Sequence, residues 1–326
     1  MTKAVLAIMI GFIASVIIGL IVIPMLKKNV KQVESTYLSK KHKEKAGTPT
    51  MGGIIFILSS LITMVILIIL KKVTVSTNLF LVLFVFLSYA LIGFIDDYLI
   101  IKRKNNIGLT EIQKLSMQAI VALIFFYVYM HSGAEAVLEI HTLGITINMG
   151  WFYGIFILFM LVASSNAVNI TDGLDGLAGG LAVIAYLAFA LISWNSFAIT
   201  GTEDIAIFIF VLVGSLIGFL VFNTYPAKVF MGDTGSLALG ATLAAVAILT
   251  KHELSLAVIG GVFVIETLSS IIQLTAIKKF GKKVFLMTPL HHHFEKLGWE
   301  ETDIVKVFLI VGFALAMLAI YYGVWM

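Results

Sequence analysis

Ten apolar runs, each close to the length that a bilayer-spanning helix needs, constrain this chain more than any other feature of its sequence. A span takes roughly 20 mostly apolar residues to cross the hydrocarbon core. The predicted limits are Ala4–Leu26, Met51–Leu70, Leu79–Ile95, Leu115–Met130, Gly150–Val168, Leu177–Ser193, Ile205–Phe222, Ser236–Thr250, Ser255–Ile277 and Ile304–Val324. We therefore expect an all-α polytopic membrane protein, built as one integral membrane domain over residues 1–326.

The composition excludes several classes of protein. Of the 326 residues, 60% are hydrophobic and 12% are charged, whereas soluble domains are about 45–50% apolar and about 25% charged. A water-soluble enzyme could not bury this much apolar surface, and disordered chains are polar and charge-rich. The chain has no cysteine, which also excludes disulfides, thiolate metal sites and a cysteine nucleophile.

The distribution of Lys and Arg predicts the orientation in the membrane. The loops after the odd-numbered spans hold 17 of them, and the opposite side holds 4. Because cytoplasmic loops carry the excess of positive charge, we expect five cytoplasmic loops and both termini outside. The net charge of +4 then reflects topology and does not indicate a nucleic-acid partner. On the outer side, Ala136–Met149 alternates in places around Leu143-Gly144, which predicts a short hairpin on the membrane surface.

Acidic residues are concentrated on the predicted cytoplasmic face. Five of the seven Asp residues fall in three of its short loops: Asp96, Asp97, Asp172, Asp175 and Asp233. Each alone could be a helix cap or a solvated charge. Packed together, they would repel one another and raise their pKa values unless a cation were present. Oxygen ligands without a thiolate favour Mg²⁺ or Mn²⁺, so we expect a divalent metal here.

Other polar groups lie near these carboxylates. Asn166 and Asn169 share one face of the helix that precedes Asp172, and Lys114 is better placed to meet phosphate than the topology-setting residues 102–104. Asp233 stands where a span begins, so it is either the cap of that helix or a metal ligand.

A histidine tract follows span nine, at His291, His292 and His293. Pro289 predicts a helix start there, which would bring imidazoles and backbone N–H groups to phosphate oxygens. The three side chains cannot all face one ligand, so His291 is the first candidate and His293 a structural one. Within span nine, Gln273 could reach the site, and Glu266 is protonated, hydrogen-bonded in the bundle or facing a hydrated groove.

Five motifs together resemble the phospho-N-acetylmuramoyl-pentapeptide transferases (translocase I of peptidoglycan synthesis) of the polyprenyl-phosphate N-acetylhexosamine-1-phosphate transferase superfamily. They are Gly-Thr-Pro-Thr-Met-Gly-Gly (47–53), Phe-Ile-Asp-Asp-Tyr (94–98), Asn-Ala-Val-Asn-Ile-Thr-Asp-Gly-Leu-Asp-Gly-Leu (166–177), Gly-Asp-Thr-Gly-Ser (232–236) and Pro-Leu-His-His-His-Phe-Glu (289–295). The aspartate motifs also fit relatives that transfer N-acetylglucosamine phosphate. The histidine motif points to the muramoyl-pentapeptide branch.

The resemblance implies an activity and a set of residue roles. Phospho-MurNAc-pentapeptide would move from its UDP conjugate to undecaprenyl phosphate, with Mg²⁺, giving lipid I and UMP at the cytoplasmic face of a bacterial plasma membrane. Asp233 and Asn166 would hold the metal, and Asp96 would act as base or position the lipid phosphate, with Asp97 and Lys114 nearby. The implied substrate contacts are Lys45, Thr50, Asn169, Asp172, Gly173, Leu174, Asp175, Asn223, Phe230 and Gln273, with His291 and His292 on the diphosphate.

Three alternatives stay open on the sequence alone. The transfer could be a direct attack by the lipid phosphate, or a double displacement with an Asp nucleophile. A transporter would also have many spans, but its site would lie near the midplane of the membrane, where this chain is poor in polar motifs. The oligomeric state is open as well, a homodimer included.

Overall fold

The computed structural model describes residues 2–29, 47–103, 107–195 and 202–324, and almost all regular structure in these ranges is helical. The helices are α1 (Thr2–Asn29), α2 (Gly53–Ile69), α3 (Thr77–Arg103), α4 (Glu111–His131), α5 (Phe152–Thr171), α6 (Leu177–Asn195), α7 (Thr202–Asn223), α8 (Gly232–Leu249), α9 (Glu253–Ile259), α10 (Gly261–Phe280), α11 (Leu290–Lys296) and α12 (Glu301–Val324).

The helices confirm the prediction of a polytopic membrane protein. Within the described ranges, nine of them are long and apolar enough to cross a bilayer, and α2 is a shorter apolar helix of 17 residues. Each predicted span coincides with one helix, apart from the ninth. Many large apolar side chains on these helices are exposed, as expected of surfaces that face lipid.

The ninth span departs from the prediction of one continuous helix over Ser255–Ile277. The chain forms α9, ends it at Gly260, and starts α10 at Gly261. Two adjacent glycines explain the break, since each is about 1 kcal/mol less favourable than alanine in a helix interior. The hydropathy of the run gives no sign of this interruption.

Helix α8 is the centre of the bundle, and nearly every residue from Thr234 to Leu249 is buried. Small residues let its neighbours come close, as is usual between membrane helices. A Cβ on Gly93 of α3 would lie 2.1 Å from the Asp233 carbonyl oxygen, and one on Gly240 would lie 2.3 Å from the Ser164 carbonyl oxygen. The first approach brings the end of α3 against the start of α8, and the second packs α5 against the middle of α8.

The predicted hairpin is confirmed between α4 and α5. Strand β1 (Val137–Ile140) pairs antiparallel with β2 (Ile145–Asn148), with Val137 opposite Asn148. Gly144 closes the turn with φ +62°. Its position on the outer membrane surface stays a prediction.

Candidate active site

The three Asp-containing loops meet at one end of the bundle, around the start of α8. Asp96 and Asp97 lie near the end of α3, Asp172 follows the last residue of α5, and Asp233 lies in the first turn of α8. The close contact of α3 with α8 at Gly93 brings the first pair to the third motif. The convergence expected from the sequence is therefore present.

Asp97, which is buried, binds the start of α8. Its Oδ2 accepts hydrogen bonds from the Thr234 N–H at 2.9 Å and the Thr234 hydroxyl at 2.6 Å, and its Oδ1 accepts from the Asp233 N–H at 3.2 Å. The N-cap residue itself, Met231, makes no side-chain cap. The capping alternative for Asp233 is therefore wrong, because Asp97 satisfies the helix start and leaves the Asp233 carboxylate for other contacts.

The Asp233 carboxylate lies between an amide and an ammonium group. Its Oδ1 accepts from Asn169 Nδ2 at 2.7 Å, and its Oδ2 accepts from Lys114 Nζ at 2.7 Å. Lys114 Nζ also lies 3.4 Å from Asp96 Oδ2, while Asp96 Oδ1 accepts the Leu109 N–H at 2.8 Å. Lys114 thus bridges two carboxylates inside the site. The nearby Arg103 instead donates to the carbonyls of the loop that follows α3.

The carboxylate and amide oxygens near Asp233 are the kind of ligand that a hard cation prefers. The Asn166 amide donates to the Val162 carbonyl of its own helix, and it is Asn169 that hydrogen-bonds to Asp233. Across the described ranges, no group of three His, Asp or Glu side chains is arranged to hold a metal ion. The ammonium of Lys114 occupies the gap between carboxylates, so metal ligation by Asp233 and Asn166 stays a prediction.

Burial and the neighbouring carboxylates both disfavour a negative charge on Asp172. Burial raises its pKa to about 7, with further contributions from the charges of Asp233, Asp97 and Asp175, while a hydrogen bond from the Gly232 backbone opposes the shift. Its carboxylate is held to its usual acidity only if positive charge is supplied nearby. A site of this kind suits a bound cation, which would also neutralise the charge of a phosphate substrate.

The first motif, residues 47–53, pairs with the loop before α8. The Phe230 N–H donates to the Pro49 carbonyl at 2.8 Å, and the Gly52 N–H donates to the Phe230 carbonyl at 2.8 Å. This pairing brings Thr50 to the site, since a Cβ on Gly232 would lie 2.8 Å from Thr50 Oγ1. Lys45 lies outside the described residues.

Asp175 and Asn223 shape the same loop. Asp175 Oδ2 accepts the Ala227 N–H at 2.9 Å, and its own N–H donates to Glu301 at 2.8 Å. Asn223 Nδ2 donates to the Val229 carbonyl at 3.0 Å, whereas its Oδ1 is buried and has no partner among the described residues. The predicted substrate contact Leu174 is itself buried. Glu301 was missed from the sequence, because an acidic residue at a helix start is common.

The three histidines have three different partners, as the spacing predicted. His291 Nδ1 lies 3.1 Å from Glu266 Oε2, His292 Nδ1 contacts Glu295, and His293 Nδ1 accepts the Leu286 N–H at 3.1 Å. His293 is therefore structural. The expectation that the N–H groups of α11 stay free for phosphate is wrong at His291, whose N–H donates to Glu266 at 3.1 Å.

Two polar residues of span nine have definite roles. Glu266 is fully buried, and of the three alternatives the structure shows the hydrogen-bonded one. Gln273 donates to the Phe285 carbonyl at 3.0 Å and accepts the N–H groups of Val284 and Phe285. Gln273 thus holds the loop before α11, and its predicted substrate contact stays a prediction.

Comparisons with known proteins agree with this arrangement. Residues 79–251 match the family described as Glycosyl transferase family 4, and residues 45–57 match the Phospho-N-acetylmuramoyl-pentapeptide-transferase signature 1. A phospho-N-acetylmuramoyl-pentapeptide-transferase of Geobacillus sp. (strain WCH70) is 50% identical over 322 residues, covering 98% of each chain. The enzyme of that name from Bacillus subtilis (strain 168) is 48% identical over 98% of this chain and 97% of its own length. The one from Oceanobacillus iheyensis is 46% identical over 100% of this chain and 99% of its own length.

Proposed function

The chain belongs to the phospho-N-acetylmuramoyl-pentapeptide transferase family, and on that premise we propose how its site carries out the reaction. It transfers phospho-N-acetylmuramoyl-pentapeptide from its UDP conjugate to undecaprenyl phosphate, which gives lipid I and UMP in peptidoglycan synthesis. The bond that breaks and the bond that forms are both phosphoanhydrides, so the reaction is close to reversible.

The observation that carries this proposal is the cluster of Asp96, Asp233 and Lys114 at one end of the bundle. Phosphoryl transfer depends on charge neutralisation and alignment more than on covalent help. A site at the ends of membrane helices can receive a water-soluble nucleotide from one side and a lipid phosphate from the other. The excess of Lys and Arg on the same side as these loops supports a cytoplasmic site, with both termini outside, in a bacterial plasma membrane.

A divalent ion, Mg²⁺ or Mn²⁺, would be held by Asp233 with Asn166 and would neutralise charge on the diphosphate. The chain's own residues orient the Asp233 carboxylate for this role. Asn169 fixes one oxygen of Asp233, and Asp97 holds the helix from which Asp233 projects. Lys114 supplies a positive charge, and its ammonium group can turn from the carboxylates to a phosphate oxygen when the substrate binds.

The remaining residues are proposed to bind the two substrates. Asp96 would act as base toward the lipid phosphate or position it, since its Oδ2 already faces the Lys114 ammonium. The nucleotide-sugar pocket would be formed by Thr50, Asn169, Asp172, Asn223 and Phe230, with Lys45. Asp175 shapes this pocket through the Ala227 loop. His291 and His292 would contact the diphosphate.

Direct attack is the mechanism we favour, because a lipid phosphate is already ionised and gains little from a base. A double displacement would instead place the phospho-sugar on an Asp carboxylate. Incubation with sugar nucleotide alone, followed by acid quench and mass spectrometry, separates the two mechanisms. Direct attack predicts no modified Asp, and a phosphorylated Asp would contradict it.

UMP release tests the activity itself. Purified protein with UDP-MurNAc-pentapeptide, undecaprenyl phosphate and Mg²⁺ should release UMP, and omission of the lipid should stop release. The matched substrate is UDP-GlcNAc, which the histidine motif predicts to be inactive. Activity with UDP-GlcNAc and none with UDP-MurNAc-pentapeptide would assign the chain to the other branch of the superfamily. Solute transport without UMP release would support the transporter alternative.

A further inference from the structure

Glu266 is a buried carboxylate that the proposed mechanism does not use. It lies within α10, a membrane-spanning helix, and its side chain is 0% exposed. An ionised carboxylate within a membrane-spanning helix is costly unless it is paired. An ionisable residue in such a helix is by default a functional-site hypothesis, and the geometry identifies its partner.

The partner of Glu266 is His291, whose side chain is 1% exposed. Glu266 Oε2 lies 3.1 Å from His291 Nδ1, and Oε1 accepts the His291 backbone N–H at 3.1 Å. An ionised carboxylate can only accept hydrogen bonds, so an ionised Glu266 requires the proton of this contact to be on Nδ1. Two contacts from one carboxylate therefore fix both the ring's tautomer and the backbone that carries it.

The other ring nitrogen of His291 lies beside Gly173, one of the residues implied to contact the substrate. His291 Nε2 is buried and has no hydrogen-bond partner among the described residues. It lies against the turn that follows Asp172, because a Cβ on Gly173 would be 2.4 Å from Nε2. An unpaired buried nitrogen is costly, and a substrate atom at this turn would satisfy it.

We propose that Glu266 is a positioning residue of the transferase site, which fixes the Nδ1 proton of His291 and thereby presents Nε2 to the sugar nucleotide at the Gly173 turn. With a single proton on the ring, Nε2 accepts a hydrogen bond from a sugar hydroxyl or amide. With a second proton it donates to a diphosphate oxygen. The inference rests on the proposed function, since it needs a substrate to contact Nε2.

The test is Glu266→Gln, which keeps the shape of the side chain and removes its charge. The new amide can still accept the His291 N–H through its oxygen, but its NH₂ then faces Nδ1 and selects the opposite tautomer. We expect kcat/KM for UDP-MurNAc-pentapeptide to fall by about 10- to 100-fold, the range seen when the group that orients a metal-binding histidine is lost.

The matched control is Glu253→Gln, the same change in another buried carboxylate. Glu253 is 2% exposed and contacts Tyr153 beyond the far end of α8. This variant is expected to keep the wild-type kcat/KM. An equal loss in both variants would mean that Glu266 acts through general stability, and would overturn the proposal.

A double-mutant cycle with His291→Gln shows whether Glu266 acts through the histidine. If it does, Glu266→Gln causes no further loss of kcat/KM in the His291→Gln background. Full additivity of the two losses would overturn the proposal, as would wild-type kcat/KM in Glu266→Gln alone. Absence of UMP release from the wild-type protein would instead refute the proposed function, so the two failures are distinguishable.

The tautomer of His291 can also be measured directly, which keeps the proposal falsifiable if Glu266→Gln does not fold. Long-range ¹H–¹⁵N spectra of ¹⁵N-histidine protein report which ring nitrogen carries the proton. The signal of His291 among the 7 histidines is identified by its loss in His291→Gln. A protonated Nδ1 is expected, and a ring protonated only on Nε2 would overturn the assignment.

Discussion

At the scale of single residues, the site depends on which carboxylate performs which task. Two neighbours, Asp96 and Asp97, point to different partners, Lys114 and the start of α8. Their motif predicted that both lie at the site, but it could not distinguish their partners. Lys114 lies on the next helix, α4, whereas Thr234 lies on the more distant α8, and both reach the end of α3 only in the folded bundle.

Asp233→Ala should abolish turnover while the protein stays folded. Asp97 rather than Asp233 caps α8, so loss of the Asp233 side chain leaves the helix start satisfied. We expect UMP release to fall by about 1000-fold or more, as when a major electrostatic group is removed from an active site. The melting temperature in detergent serves as the folding control. Unchanged activity would refute the role of Asp233.

Gly173→Ala should impair the site through His291. The added Cβ would lie 2.4 Å from Nε2, a distance that forces the buried ring to move. We expect a lower kcat/KM in the UMP-release assay. In a His291→Ala background the clash is absent, so the same glycine substitution should then cause no further loss. A full additional loss there would show that Gly173 acts independently of the ring.

At the scale of elements, hydropathy predicted the helices well because lipid imposes one length and one composition on every span. The break between α9 and α10 was not predicted, since Gly260 and Gly261 are themselves compatible with an apolar run. Contacts between helices were predicted least, because close approaches such as that of Gly93 in α3 to the start of α8 depend on shape rather than on hydropathy.

The start of α8 provides a prediction at this scale. Asp97→Ala removes the acceptor for the buried hydroxyl and N–H of Thr234. Leaving such groups unsatisfied costs about 1–3 kcal/mol, so we expect a lower melting temperature as well as lost activity. Asp97→Asn keeps one oxygen acceptor and should melt between wild type and Asp97→Ala. If Asp97→Ala melted like wild type, the capping role would be excluded.

At the scale of the whole molecule, the two ends of the bundle carry different polar clusters. Helix α8 has 18 residues, which corresponds to about 27 Å at about 1.5 Å per residue. The carboxylates lie at its start. Beyond its end, Glu253 contacts Tyr153, and Lys251 donates to the Glu135 carbonyl at 2.7 Å beside the hairpin. The second cluster fastens the hairpin to the bundle.

This far cluster makes stability depend on pH. Burial raises the pKa of Glu253 above its ordinary value of 4.5, so the folded protein retains this proton to a higher pH than the unfolded chain does. The resulting stabilisation is complete below pH 4.5 and is lost as the pH rises through the folded-state pKa. Over the same rise in pH, the melting temperature of Glu253→Gln should therefore fall by less than that of wild type. Parallel pH profiles would contradict this assignment.

The fate of the β-phosphate tests the central claim most directly. UDP-MurNAc-pentapeptide labelled with ³²P in the β-phosphate is incubated with the purified protein, undecaprenyl phosphate and Mg²⁺, and the products are separated by extraction into organic solvent. Transfer of the phospho-sugar, by either mechanism, predicts that the label moves into the lipid fraction as unlabelled UMP appears in the aqueous fraction. Label that stays in the aqueous fraction with intact sugar nucleotide, or is released as inorganic phosphate, would contradict the account.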